Sequence, residues 1–436
     1  MERLGVEEAA ARVLATDSLG IPLGPGQPPG LLQALGGRDD WVDLRVYGAL
    51  LSVLSELFNR PGVHYLSGFF SPLERMLRDM GANISFVPAD FRRFIGLLEA
   101  IRPRVVATAA APPDAEGWCS LSLHAGAHVP ELHRTGADPD RLLMVEVSPN
   151  FPRTFGLPPT HRHALHVDEI DILIETDSAP LLLDDPEPTE VDRAMAGHVS
   201  SLVPDGATLQ TGIGAVPSTV ARLLAEGDGG DYGIHSEMFT TGLMRLHQAA
   251  KVTNRKGHFD GVSVATFAAG TAELYRWLHE NAEVAFLPVD IVNAPEVIGG
   301  NRQAVTINAA LAVDIHGQVV ADTVGGAQYS GIGGHEDFVS GPALSLDSRA
   351  LICLPSTYTS GGQLRSRIVP WFPAGTVITT PRHQVDVIIT EYGYAELRGL
   401  TVHQRGNALA DIAHPDFRDE LREAAARASG GRSAMA

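Results

Sequence analysis

One acid stands out by its position. Glu237 lies in Gly233-Ile234-His235-Ser236-Glu237-Met238, after a loop rich in Gly and Asp and before an apolar helical run, Gly242 to His247. A carboxylate where a strand or tight turn feeds a helix occupies a common place for functional groups in open α/β sheets. The plain alternative is a solvated acid opening a helix, where the dipole favours it. Two glycine-rich turns give Glu237 company. Leu209 to Pro217 reads as an apolar strand, a Gly-x-Gly turn at Gly212 and Gly214, and a helix start at Ala215, Val216, Pro217 and Ser218. Glycines there let backbone amides approach a ligand closely, and a helix N-terminus favours anions. The third glycine of the dinucleotide fingerprint is missing. A nucleotide-containing ligand and a tight structural turn both fit. Tyr329 to Phe338 is the second turn, with Gly331, Gly333 and Gly334 followed by His335. Its N–H groups suit an oxyanion hole or an acyl or pantetheine group. The alternative is a flexible surface connection, although Tyr329 and Phe338 flank it as anchors.

Other candidates read more blandly. His161, His163 and His166 have metal-like spacing, but no Cys or firm carboxylate set accompanies them, so no metal site is expected. The two lysines, Lys251 and Lys256, follow the Glu237 segment with Arg255. Phosphate contacts and a solvated basic face both suit them. Glu391 in Thr390-Glu391-Tyr392 reads as a structural strand end.

These groups need a scaffold, and composition bounds it. The chain has 436 residues, 44 % of them hydrophobic, enough for two or three domains. Its net charge is −19, from 33 basic and 52 acidic residues, which excludes a broad basic face for nucleic acid or anionic membrane. Two distant cysteines, Cys119 and Cys353, support neither a disulfide framework nor a cysteine zinc site, and point to a reducing cytoplasm. Met1 to Gly5 shows no signal-peptide pattern, and no apolar run is long enough to span a membrane.

Strand and helix patterns alternate along the chain, the mark of parallel sheets with helices on both faces. Helical spacing falls at Val6 to Leu14, Ser71 to Met80 and Ala89 to Ile101. Apolar strands fall at Arg104 to Ala110, Leu142 to Val147 and Ile170 to Ile174. After the acidic, Pro-rich linker Asp184 to Glu190, strands are expected at Ala207 to Thr211, Val262 to Phe267, Ala285 to Val289, Leu351 to Leu354 and Val385 to Thr390. Val305 to Asp322 reads as a β-meander turning at His316-Gly317. A helix at Asp416 to Arg427 precedes a frayed tail, Gly430 to Ala436. The linker splits the chain into domains 1–186 and 187–436. The halves echo each other: Gly26 to Leu35 matches Gly214 to Leu223, Asp114 to Gly117 pairs with Asp314 to Gly317, and Ile170-Asp171 aligns with Val385-Asp386. Three pairs in one order favour two related open α/β halves.

With Gly212 to Pro217, Gly233 to Met238, Pro288-Val289-Asp290, Tyr329 to Phe338, Ser366 to Val369, Thr390 to Gly393 and Ile412 to Arg418, the chain resembles the acetyl-CoA hydrolase/transferase family, which includes acetate-, butyrate- and 4-hydroxybutyrate-type CoA-transferases. The resemblance implies two open α/β domains with the active site between them. It makes Glu237 the nucleophile, passing through a mixed anhydride to a glutamyl-CoA thioester. It places coenzyme A at Gly212, Gly214 to Ser218, Gly331 and Gly333, with the Gly333-Gly334 amides polarising the thioester carbonyl. Substrates are an acyl-CoA and a small carboxylate, with no tightly bound cofactor, and a cytoplasmic homodimer is expected. His335 departs from the family's usual Gln. It would turn cationic near an ordinary histidine pKa, and it could position water, tilting transfer towards hydrolysis. An acyl-CoA hydrolase and a non-catalytic acyl-CoA sensor are the alternatives.

Overall fold

The computed structural model describes residues 1–429. Two eight-stranded sheets organise it. The first runs, edge to edge, Glu2–Leu4, Ile172–Glu175, Leu142–Val147, Val105–Ala110, Ser18–Leu23, Leu44–Ala49, Val63–Ser67 and Ile84–Phe86, all parallel. The second runs Val284–Phe286, Ser263–Ala268, Gly233–Phe239, Thr208–Thr211, Ala304–Ala309, Arg349–Cys353, Val387–Thr390 and Gly393–Glu396, with the last strand antiparallel. Central strands such as Val105–Ala110 and Ser263–Ala268 are buried at every position, as parallel strands covered on both faces must be. One apolar core joins the sheets, with Val106, Leu143 and Leu173 from the first and Leu209, Ala265 and Leu351 from the second.

The internal echo is structural. Taken in chain order from Ser18 and from Thr208, seven strands follow one spatial plan in both sheets. Asp114 Oδ1 accepts from Glu116 N at 3.0 Å and Trp118 N at 2.9 Å. Asp314 Oδ1 accepts from His316 N at 3.0 Å and Gln318 N at 2.9 Å. The next glycine has φ +87° at Gly117 and +88° at Gly317, a region that only glycine enters cheaply. Asp171 accepts from Leu143 N at 2.8 Å and Asp386 from Ala350 N at 3.2 Å, each pinning the strand beside it.

Two expectations need correction, and one alternative falls away. Ala285 to Val289 is not one strand. It stops at Phe286, and Pro288, which has no N–H for the ladder, caps a short helix, Val289–Val292. The supposed meander is divided. Ala304–Ala309 is a central strand of the second sheet, and the hairpin pairs only Ala312–Asp314 with Val319–Val320. Nor does Glu237 open a helix: it lies inside the strand Gly233–Phe239, and Thr240 caps the following helix, Thr241–Gln248. The tail Gly430 to Ala436 lies outside the described residues.

Candidate active site

Glu237 sits near the C-terminal end of its strand, where functional side chains of open parallel sheets gather. Its neighbour Ser236 is fully buried and ties the strand to Thr211, with Ser236 Oγ donating to Thr211 O at 3.1 Å. His235, two residues before Glu237 and also buried, donates from Nε2 to Val292 O at 2.7 Å. That bond fixes the helix Val289–Val292, whose C-cap is Asn293. Asn293 is wholly buried, and its Nδ2 donates to Glu237 Oε2 at 2.6 Å and to Asp337 Oδ2 at 3.1 Å. Asp337 is also wholly buried and accepts from Arg92 Nε at 2.5 Å. One amide thus bridges two acids, and a guanidinium from the first half of the chain balances the second acid.

Burial dominates the electrostatics. It pushes Glu237 up to about 7, and the nearby Asp337 adds to the rise, while the Asn293 hydrogen bond works against it. Asp337 is pushed up to about 6 by the same desolvation, against the pull of Asn293 and Arg92. Glu237 is therefore a carboxylate whose charged form is poorly solvated and whose proton leaves near neutral pH. Such a group is a stronger nucleophile than a solvated acid.

The glycine loop lies directly against this carboxylate. A Cβ on Gly334 would overlap Glu237 Oε2 and come within 2.5 Å of Asn293 Nδ2. Gly333 has φ +57°, and its carbonyl accepts from Phe91 N at 2.9 Å, so the loop is held by the first half of the chain. Gly333 forms a parallel bridge with Asp90, which turns its N–H towards the first half of the chain, while the Gly334 N–H donates to no backbone acceptor among the described residues. Gly331 packs on the first half as well, with Gly68 O only 2.7 Å from where its Cβ would stand.

A cavity of about 520 Å³ opens in front of Glu237, between the two halves. Gly212, Gly214, Ala215, Val216, Pro217, Gly331, Gly333, Gly334 and His335 all line it. Gly214 takes φ +124° at the start of the helix Ala215–Glu226, so that helix's N-terminus faces the cavity. The equivalent helix of the first half, Pro29–Gly37, is closed. Glu146 accepts from Gly30 N at 3.0 Å and Leu31 N at 2.9 Å. Strand register pairs Ala109 with Glu146 and Ala309 with Cys353, so Cys353 takes the acid's place in the second half. Conversely, register places Ala49 where the second half has Glu237, since Val46 pairs with Leu19 as Ile234 pairs with Leu209. The site is asymmetric for these two reasons.

Some residues behave differently from their sequence reading. Ser218 is off the cavity wall. Its hydroxyl donates to Asp185 Oδ1 at 2.8 Å, and Asp185 also pairs with Arg245 at 3.1 Å. His335 lines the cavity, but its Nε2 bonds Thr380 Oγ1 at 2.9 Å, and burial lowers it to about 4, so it stays neutral near pH 7. Lys256 meets neither phosphate nor water. It is buried with Nζ on the carbonyls of His258, Phe259 and Val262. Glu391 holds Ser356 N at 2.9 Å, a structural role. His163 Nε2 donates to Ser122 O at 2.9 Å. Sequence reasoning missed Asn293 and Arg92 altogether, and it took Asp337 only as part of a motif. The nearest motif in the sequence reading, Pro288-Val289-Asp290, ends three residues before Asn293.

Comparison with known proteins finds relatives along nearly the whole chain. Residues 270–425 match the acetyl-CoA hydrolase/transferase C-terminal domain family. Over 427 residues the chain is 38 % identical to a succinyl-CoA:cyclohexane-1-carboxylate CoA transferase from Geobacter metallireducens, covering 96 % of this chain and 94 % of that protein. It is 39 % identical over 310 residues to a 4-hydroxybutyrate coenzyme A transferase from Clostridium kluyveri, covering 71 % of this chain and 69 % of the relative. The crystal structure of RipA from Yersinia pestis superposes with a TM-score of 0.89 at 33 % identity, covering 98 % of this chain and 97 % of RipA.

Proposed function

The chain belongs to the acetyl-CoA hydrolase/transferase family and is a CoA-transferase, and we propose that it moves CoA from an acyl-CoA to a small carboxylate through a thioester on Glu237. One observation carries this reading: Glu237 projects into the cavity between the sheets, held by Asn293 and pressed against Gly334. In the first step a Glu237 oxygen attacks the thioester carbonyl. An O–C bond forms, the C–S bond breaks, and CoA leaves as thiolate, giving a mixed anhydride. The thiolate then attacks the glutamyl carbonyl, forming a C–S bond and expelling the first acid as its carboxylate. A second carboxylate attacks the glutamyl-CoA thioester and expels CoA thiolate. That thiolate attacks the new acyl carbonyl and returns Glu237 as a carboxylate.

The Gly334 amide, directly beside Glu237, is suited to the negative charge that grows on the carbonyl oxygen. The open N-terminus of the helix Ala215–Glu226, with Gly212 and Gly214 before it, is suited to the CoA moiety. No step calls for a tightly bound cofactor. The reading divides the chain into related halves, 1–186 and 187–436, of which the second supplies the nucleophile. A homodimer in a reducing cytoplasm belongs to the same proposal, in keeping with two buried, unpaired cysteines.

Incubation with acyl-CoA followed by borohydride tests the covalent route. The expected product is a chain whose Glu237 has been reduced to an alcohol, found by peptide mass mapping. An unmodified chain that still turns over acyl-CoA refutes it. Release of free acid without an acceptor carboxylate would make hydrolysis the main reaction.

A further inference from the structure

We infer that the acyl group accepted beside Glu237 is uncharged and apolar, a monocarboxylate with an aliphatic or alicyclic chain, and that the first half of the chain builds its pocket. The inference rests on the Glu237 reading and adds the substrate class.

The second half supplies the nucleophile and the glycine turns. The first half supplies an apolar wall to the same cavity, with Leu23, Leu50, Phe91 and Phe94, and the second half adds Met238 and Phe267. Phe91 and Phe267 meet edge to face, 6.3 Å between ring centres, which stiffens the wall. Behind it lies a smaller cavity of about 70 Å³. Leu23, Ala49, Gly68, Phe91 and Phe94 line both spaces, so the second is the inward continuation of the first. Beyond them the lining is again apolar, including Val87, Leu97, Leu98 and Ala127. Ala49 stands at the position equivalent to Glu237 and lies on the wall that the two spaces share.

Charge decides against a diacid. Among the described residues, no Arg or Lys lines either cavity. Arg92, on the segment that builds the wall, is engaged by Asp337 and, at 3.6 Å, by Asp90. The polar side chains of the inner cavity are Tyr47 and His128, and burial lowers His128 to about 3, so it carries no positive charge. A second carboxylate would be buried without a counter-charge, close to Glu237 and Asp337, a large penalty. Each methylene transferred from water to such a wall favours binding by about fourfold. The three extra methylenes of pentanoate over acetate are worth at most about sixtyfold by the same scale.

The test is an acceptor panel on the purified enzyme with acetyl-CoA as donor and sodium pentanoate, propionate or succinate as acceptor, products measured by mass spectrometry. Pentanoate is expected to exceed succinate at least tenfold in kcat/KM. Succinate equal to or better than pentanoate overturns the inference. Ala127→Leu fills the inner cavity and is expected to lower the pentanoate-to-propionate ratio about tenfold. An unchanged ratio in a folded variant removes the inner cavity from the acyl site. If that variant does not fold, the wild-type panel decides alone. Borohydride labelling separates the two ideas. Glu237 labelled by an enzyme that prefers succinate overturns the apolar pocket only, whereas turnover without label overturns the covalent route.

Discussion

Replacing Glu237 with Gln should abolish transfer and, in alkaline solution, make the fold more stable. Burial moves the Glu237 pKa from 4.5 to about 7. The native state therefore keeps its proton where the unfolded chain has lost it. That contribution to stability is complete below about pH 4.5 and is lost as pH rises through 7. A rise of about 2.5 pH units at roughly 1.4 kcal/mol each gives an upper figure near 3 kcal/mol by pH 8. Glu237 keeps a partly open side towards the cavity, so about 1–3 kcal/mol is the working range. Gln retains the shape and accepts from Asn293 without a charge. It also removes the repulsion on Asp337, which acts in the same direction. At pH 5 the two proteins should melt close together, since most of the contribution is still present. At pH 8 the variant should melt higher by several degrees, on the order of 2–4 °C per kcal/mol. Thermal scans at one heating rate, at both pH values, measure this directly. An equal difference in Tm at pH 5 and pH 8 would refute the claim that a desolvated carboxylate is held at position 237.

Three further outcomes follow from the same geometry. Gly334→Ala places a methyl group on Glu237 Oε2, so turnover should fall at least about a hundredfold with the circular dichroism spectrum intact, and a loss under tenfold contradicts the contact. Asn293→Ala removes the hydrogen bond that favours the charged form of Glu237. The acidic limb of the kcat/KM profile should move to higher pH by about one unit, and a limb that stays in place shows that Asn293 does not tune Glu237. His335→Gln should leave the profile between pH 6 and 8 unmoved, because the imidazole is already neutral there, and should lower hydrolysis relative to transfer severalfold; a constant ratio ends the idea that His335 positions water.

Much of this site is legible in the sequence because it is written in residue types. Glu237 sits between glycine turns, and Gly214 and Gly334 occupy places where no other residue fits, at φ +124° and against a carboxylate. The three paired motifs of the two halves were readable because each fixes backbone geometry locally: a strand-to-helix turn, an Asp-capped turn, and an acid pinning its neighbouring strand. Asn293 was not legible. A single amide has no pattern, and it reaches Glu237 only because His235 holds the helix before it. Arg92 was hidden for a related reason, since its partner Asp337 lies far along the chain and in the other half. The reading of Lys256 failed because burial, not charge, governs that side chain.

The sequence by itself determined the alternation of strands and helices and the internal repeat, because these depend on periodicity and on local conformational preference. The tertiary structure alone decided which of the two equivalent helix ends stays open, through Glu146 in one half and Cys353 in the other. It also decided that Glu237 titrates near 7 and that an apolar wall from the first half faces it. Desolvation, hydrogen bonding and cavity shape are sums over groups brought together from both halves of the chain, and they exist only once the two sheets share a core.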